Sequence, residues 1–223
     1  MAAKVIPNDF FHRNVGLYRL RTSMVDWLKS VIWKVLGHSK SIQTSRDILN
    51  RSFMQELEDM CRGKSVLELG CGQGFMLEMT RLWGAGRQFG IDASDSMLYF
   101  ARMKFKDTPY VKGDCSSLPF RDNSFDVVFC VSLLHHLLPA TRKRTLEEAL
   151  RVGKRFIILD NRNFQAAVPR RLAQLFWKLT DAATQNYTME EWLRFLSNVK
   201  IERLYVPNEG GIRQFFVRVS SKS

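Results

Sequence analysis

Five short apolar runs, SVLEL, QFGID, PYVKGD, SFDVVFCV and RFIILD, follow one another between Ser65 and Asp160, with helical patterns between them. Runs of this length rich in branched and aromatic residues read as strands, and the intervening segments 75–83, 94–106 and 141–152 repeat apolar residues at the helical period. A strand separated from the next by a helix cannot close a hairpin, so this order predicts a mostly parallel sheet. Right-handed crossovers then stack helices on both faces. Further along, Thr188 and Glu191 form a T-x-x-E capping box that opens the helix TMEEWLRFLS. The runs VKIERLYV and IRQFFVRV come last, joined through Pro207, Asn208, Gly210 and Gly211. That joint is too short for a crossover and predicts an antiparallel hairpin.

The first strand runs into the stretch VLELGCGQG, Val66 to Gly74. Glycines between a strand and a helix let a ligand approach the backbone, where the helix N-terminus offers unpaired N–H donors. A dinucleotide fingerprint places its third glycine three residues after the second. Here Gly70, Gly72 and Gly74 alternate, which disfavours a pyrophosphate ligand. Asp92 ends the second run about twenty residues after the first glycine, where a carboxylate can accept both hydroxyls of a ribose. Asp114 ends the third. Either aspartate alone is as readily a turn or cap residue. With the glycine turn they mark three successive strand ends.

In order and spacing, VLELGCGQG, GIDASDSML, GDCSSLPFRDNSFDVV and LLHHL resemble the class I S-adenosylmethionine-dependent methyltransferases, particularly those with small-molecule acceptors such as quinones and sterols. The resemblance covers roughly residues 65–160. It implies a Rossmann-like α/β fold with seven strands, the last two an antiparallel hairpin, and S-adenosylmethionine as cofactor, released as S-adenosylhomocysteine. Carried over by position, Glu68 with Gly70, Cys71, Gly72 and Gly74 would hold the methionine part of the cofactor, and Asp92 with Ala93 the ribose. Met97 would pack near the adenine, Asp114 with the backbone of Cys115 and Ser116 would bind the adenine edge, and Val131 would face the methionyl amine.

Methyl transfer from a sulfonium is an in-line displacement, so positioning and exclusion of water carry much of the catalysis, and a base is needed only for a protonated acceptor. The candidates are His135 and His136 after the fourth strand and Asp160 at the end of the fifth. The competing reading for the histidine pair is that it caps or packs the following helix. Asp160 with Asn161 is similar to metal-dependent catechol-type enzymes, but Cys130, Val131 and Ser132 supply no further aspartate, so no metal is expected. No Asn/Asp-Pro-Pro-Tyr and no Pro-Cys pair follows the fourth strand, which counts against exocyclic adenine, glutamine or pyrimidine-carbon acceptors.

One domain is expected, with residues 1–60 a helical extension, 61–160 the cofactor core, 161–198 a helical insertion and 199–223 the hairpin. Both helical segments are amphipathic and basic. Leu17, Leu20, Met24, Leu28, Val31 and Val35 recur at helical spacing beside Arg19, Arg21, Lys29 and Lys34, and Leu172, Leu175, Phe176 and Leu179 beside Arg170, Arg171 and Lys178. They read as a lid. Between them an apolar or aromatic acceptor would fit, or Trp27, Trp33 and Trp177 would rest on a membrane surface. The 34 Lys+Arg against 22 Asp+Glu, a formal +12, leave an RNA or protein acceptor as the alternative, with Thr141 to Arg144, Arg151, Lys154 and Arg155 as a phosphate-contacting face. A non-catalytic partner subunit is a third reading. Four scattered cysteines, Cys61, Cys71, Cys115 and Cys130, and the absence of a leader or long apolar run point to a cytoplasmic setting, with the oligomeric state open.

Overall fold

The computed structural model describes residues 40–161, 187–206 and 214–221. Its elements are α1 (Lys40–Cys61), β1 (Ser65–Leu69), α2 (Phe75–Leu82), β2 (Arg87–Asp92), α3 (Asp95–Lys104), β3 (Tyr110–Lys112), β4 (Val127–Val131), a 3-10 turn (Leu134–His136), α4 (Pro139–Val152), β5 (Phe156–Asn161), α5 (Met189–Phe195), β6 (Lys200–Tyr205) and β7 (Gln214–Ser220). The strands form one sheet in the order β3-β2-β1-β4-β5-β7-β6. Strands β1 to β5 pair in parallel, whereas β7 is antiparallel to both β5 and β6. This is the Rossmann-like seven-stranded sheet with a terminal antiparallel hairpin expected from the sequence.

Strand alternation divides the apolar side chains between two faces. Leu67, Leu69, Val128, Cys130, Phe156, Ile158, Phe215 and Val217 pack with Leu146, Ala149 and Val152 of α4 and with Trp192 of α5. Val66, Val127, Phe129, Ile157, Leu159 and Phe216 pack on the other side with Phe53 and Leu57 of α1, Leu77 of α2 and Leu98 of α3. Burial on both faces is why the central strands read as continuous apolar runs rather than alternating ones. Glu56 of α1, itself buried, forms ion pairs with Arg203 and Arg218 and so ties that helix to the hairpin.

Several boundaries differ from the sequence reading. The run PYVKGD yields only Tyr110–Lys112 as strand, since β3 is an edge with a single neighbour. Helix α4 starts at Pro139 rather than at residue 141, because the fixed φ of proline suits the first helical position. The amphipathic segments bearing Leu17 to Val35 with Trp27 and Trp33, Arg170 to Leu179 with Trp177, and the joint from Pro207 to Gly211 lie outside the described residues. Among the described residues no helix is long and apolar enough to cross a membrane.

The capping box is present: Glu191 N–H donates to Thr188 Oγ1 at 3.2 Å and Thr188 N–H to Glu191 Oε2 at 2.7 Å. Thr188→Ala is expected to lower stability by about 1 kcal/mol, measured by urea denaturation. A loss within about 0.3 kcal/mol would mean that packing of the fully buried Trp192 alone holds α5 in place.

Candidate functional site

The C-terminal ends of β1, β2 and β4 and the loop after β3 lie at the same end of the parallel sheet, the end outside which open α/β folds bind ligands in a crevice. Chain leaving β1 turns through Gly70 and Gly74, both with left-handed φ, of 65° and 76°. A Cβ on Gly70 would lie 2.7 Å from Leu133 Cδ1, and one on Gly74 would run into the Tyr110 hydroxyl. Neither position therefore admits a side chain, on conformational and steric grounds together. Gly74 then caps α2. The turn is held against β2, with Cys71 N–H donating to Ile91 O at 3.1 Å and Gly72 N–H to Asp92 Oδ2 at 2.8 Å.

Asp92 thus helps to build the turn it faces. Its Oδ1 accepts from Ser94 N–H at 2.8 Å, and Ser94 in turn caps α3 by accepting from Met97 N–H at 3.4 Å. Burial lifts the Asp92 carboxyl above its ordinary pKa, against amide donors from Ser94, Gly72 and Ala93. A carboxylate has about four acceptor sites, so capacity remains for a further donor. Asp114 is exposed, its Oδ1 accepting from both N–H and Oγ–H of Ser116 at 2.8 Å. Next to it, Cys115 packs its thiol against the Gly70 backbone, where burial pushes the thiol up to about 12. That keeps it a neutral core group rather than a nucleophile.

Glu68 lies beneath the turn, 3% exposed. It accepts a hydrogen bond from the backbone of Leu77 in the first turn of α2, while Oε2 is buried with no hydrogen-bond partner. Desolvation first, and the neighbouring Asp92 charge as well, raise its carboxyl well above 4.5. The sign follows from linkage: a carboxyl raised in the folded state stabilises the fold fully below 4.5 and loses that contribution as pH rises through the folded value. Wild-type stability relative to Glu68→Gln is therefore expected to fall as pH rises above 4.5, as read by urea midpoints at a series of pH values. A difference that stays constant with pH would show that the buried carboxyl is not shifted.

At the end of β4 the half-buried Val131 leads to Ser132, whose φ of 53° is unusual for a non-glycine residue. The 3-10 turn follows. His135 is buried, with Nδ1 2.5 Å from Asp160 Oδ1, and Leu134 N–H donates to Asp160 Oδ2 at 2.8 Å. The Asp160 carboxylate, fully buried at the end of β5, accepts in both contacts and so places the imidazole proton on Nδ1. His136 is exposed, its ring centroid 4.0 Å from that of His135. The sequence singled out all three residues but not the pairing, which needs β4 and β5 side by side. Among the described residues no group of three or more His, Cys, Asp or Glu side chains is arranged to hold a metal ion.

Of the basic residues read as a phosphate-contacting face, the structure buries Arg142, while Lys143, Arg144, Lys154 and Arg155 are exposed. Arg142 is 5% exposed and stacked among aromatic rings, with its guanidinium carbon 3.6 Å from the Tyr187 ring centroid. Arg151 is engaged by Glu148, Asp122 and the carbonyls of Leu118 and Phe120. Lys154 pairs with Asp126 and Arg155 with Glu202. Local sequence carries no sign of Arg142's burial, because Tyr187 and Trp192 come from a much later segment.

Residues 67–156 match a family described as "Methyltransferase domain". The ubiquinone/menaquinone biosynthesis C-methyltransferase UbiE of Klebsiella pneumoniae is 31% identical over 122 residues, 49% of this chain and 47% of that protein. The chain spans less than half the length of that relative. Among solved structures, an S-adenosylmethionine-dependent methyltransferase from Mesorhizobium loti superposes with a TM-score of 0.59 at 21% identity, covering 74% of this chain and 94% of that one. A methyltransferase from Haloferax volcanii, described in complex with the activator Trm112, gives 0.64 at 18% identity, covering 86% and 97%. These two likenesses concern the fold.

Proposed function

We propose that this chain, whose residues 67–156 match a methyltransferase-domain family, is a class I S-adenosylmethionine-dependent methyltransferase that methylates a small apolar or aromatic acceptor. The observation that carries the reading is the convergence of a glycine turn closed to side chains, Asp92 at the end of β2 and the partnerless buried Oε2 of Glu68. These fit the cofactor. Glu68 would meet the methionyl ammonium, a cation that suits a desolvated carboxylate; Gly70, Cys71, Gly72 and Gly74 would line its amino-acid end, with Val131 opposite. Asp92 and Ala93 would take the ribose, and Met97, Asp114, Cys115 and Ser116 the adenine. When bound, S-adenosylmethionine supplies an electrophilic methyl group.

The residues of this chain would position the acceptor and exclude water. Where the acceptor arrives protonated, we assign the base to His135, oriented by Asp160, with His136 beside it at the solvent side. The resemblance to a quinone-pathway C-methyltransferase supports an aromatic acceptor. The alternative of an RNA acceptor loses support at Arg142, buried among aromatic rings, and at Arg151, engaged by Glu148 and Asp122, whereas Lys154 and Arg155 pair with acidic neighbours at the surface.

The test incubates the purified protein with methyl-labelled S-adenosylmethionine and source-cell extract and counts label in small-molecule, lipid, RNA and protein fractions. Label in the small-molecule or organic-soluble fraction is expected. Label confined to RNA or protein would overturn the acceptor class, and no label despite measurable cofactor binding would favour a non-catalytic subunit.

A further inference from the structure

Arg142 is a cation held in an almost fully buried position, 5% exposed. It lies in the first turns of α4, and its guanidinium carbon sits 3.6 Å from the ring centroid of Tyr187, 4.7 Å from that of Phe195 and 5.0 Å from that of Trp192. Its Nε and Nη1 are buried and have no acceptor among the described residues. A hydrogen bond to the Tyr187 hydroxyl, and the charges of Asp160 and Glu191 nearby, only partly offset the desolvation that lowers its pKa. Asp160 already accepts from His135 and Leu134.

A buried donor without an acceptor is costly, and an apolar residue of similar volume would serve better if the only task were to hold α4 against α5. The rings stacked on the guanidinium leave its in-plane edges as the route for an acceptor atom. The Asp160 charge acts on the guanidinium, so Arg142 lies near the His135–Asp160 pair. We infer that Arg142 anchors an oxyanion of the methyl acceptor, so that the acceptor is an aromatic or apolar molecule bearing a carboxylate or a phenolate. This rests on the methyltransferase reading above. Arg142 is then a specificity-determining residue, with Tyr187, Trp192 and Phe195 keeping its charge in a dry site where hydrogen bonds to it are strongest.

The probes are benzoate and 4-nitrophenolate as the two oxyanions, with neutral benzamide as control, titrated into wild-type protein saturated with S-adenosylhomocysteine. Saturation by S-adenosylhomocysteine is measured first, so its failure would count against the cofactor reading and not against Arg142. One of the two anions is expected to bind at least tenfold more tightly than benzamide and to shift an arginine Nε–H resonance in the nitrogen-proton spectrum. Which of them does so distinguishes carboxylate from phenolate. In Arg142→Met that preference should disappear while affinity for S-adenosylhomocysteine is kept, and Arg142→Lys should recover part of it. If Arg142→Met does not fold, the wild-type comparison still decides. Equal binding of benzoate, nitrophenolate and benzamide, no binding of any of them, or an anion preference that survives in Arg142→Met would each overturn the proposal and leave internal water as the partner of the two donors.

Discussion

Asp92→Ala is expected to weaken binding of S-adenosylhomocysteine by roughly a hundredfold, about 2.7 kcal/mol. Two losses combine. The ligand loses a charged acceptor for its ribose, and the protein loses the acceptor for Gly72 N–H and Ser94 N–H, each 2.8 Å away, so the glycine turn and the cap of α3 are no longer held in register. Asp92→Asn keeps the shape and one acceptor oxygen but turns an amide donor toward one of those N–H groups, so an intermediate loss is expected. Asp114→Ala should cost less, about tenfold or below, because its carboxylate is exposed and water screens what it offers. Isothermal titration measures all three. Affinity for Asp92→Ala within about twofold of wild type, in a variant that melts normally, would remove Asp92 from the proposed cofactor site.

The second large effect is on stability. Asp160 is fully buried, and both of its oxygens are committed, one to His135 Nδ1 and one to Leu134 N–H. Asp160→Ala leaves an imidazole and a backbone donor desolvated without that acceptor and opens a small cavity between β5 and the 3-10 turn. A loss of about 3–5 kcal/mol is expected, the range for removing one partner of a buried hydrogen-bonded pair. Asp160→Asn should recover part of this, since its amide oxygen can still accept from one of the two donors. Urea midpoints at neutral pH provide the measurement. A loss below about 1 kcal/mol for Asp160→Ala would mean that the 3-10 turn is held by the packing of Leu134 alone, and His135 would then lack the orientation assigned to it.

Most of the scaffold was legible along the chain. Short apolar runs, period-3.6 apolar patterns, glycines at the β1 turn and the T-x-x-E box are local signals, and each corresponds to an element of the right type: SVLEL is β1 residue for residue, and the box at Thr188 caps α5. The last two runs also had to be a hairpin, since the chain between them is too short to cross the sheet. The aspartates at strand ends were readable for the same reason, because position relative to a strand end is a property of local sequence.

Side-chain environments were not readable in that way. Arg142 sat in a run of basic residues that looked solvated, and only the packing of α5 against α4 encloses it in aromatic rings. The link between His135 and Asp160 likewise exists because β4 and β5 are neighbours in the sheet, an adjacency that no local pattern encodes. Glu68 was assigned to the cofactor by resemblance, but only the fold strips its carboxyl of water and leaves one oxygen without a partner. Chain order and local periodicity therefore determined which elements form and where the glycine turn lies. Burial and charge environment, which arise from contacts between residues far apart in sequence, were decided only when the sheet closed and the helices covered its two faces.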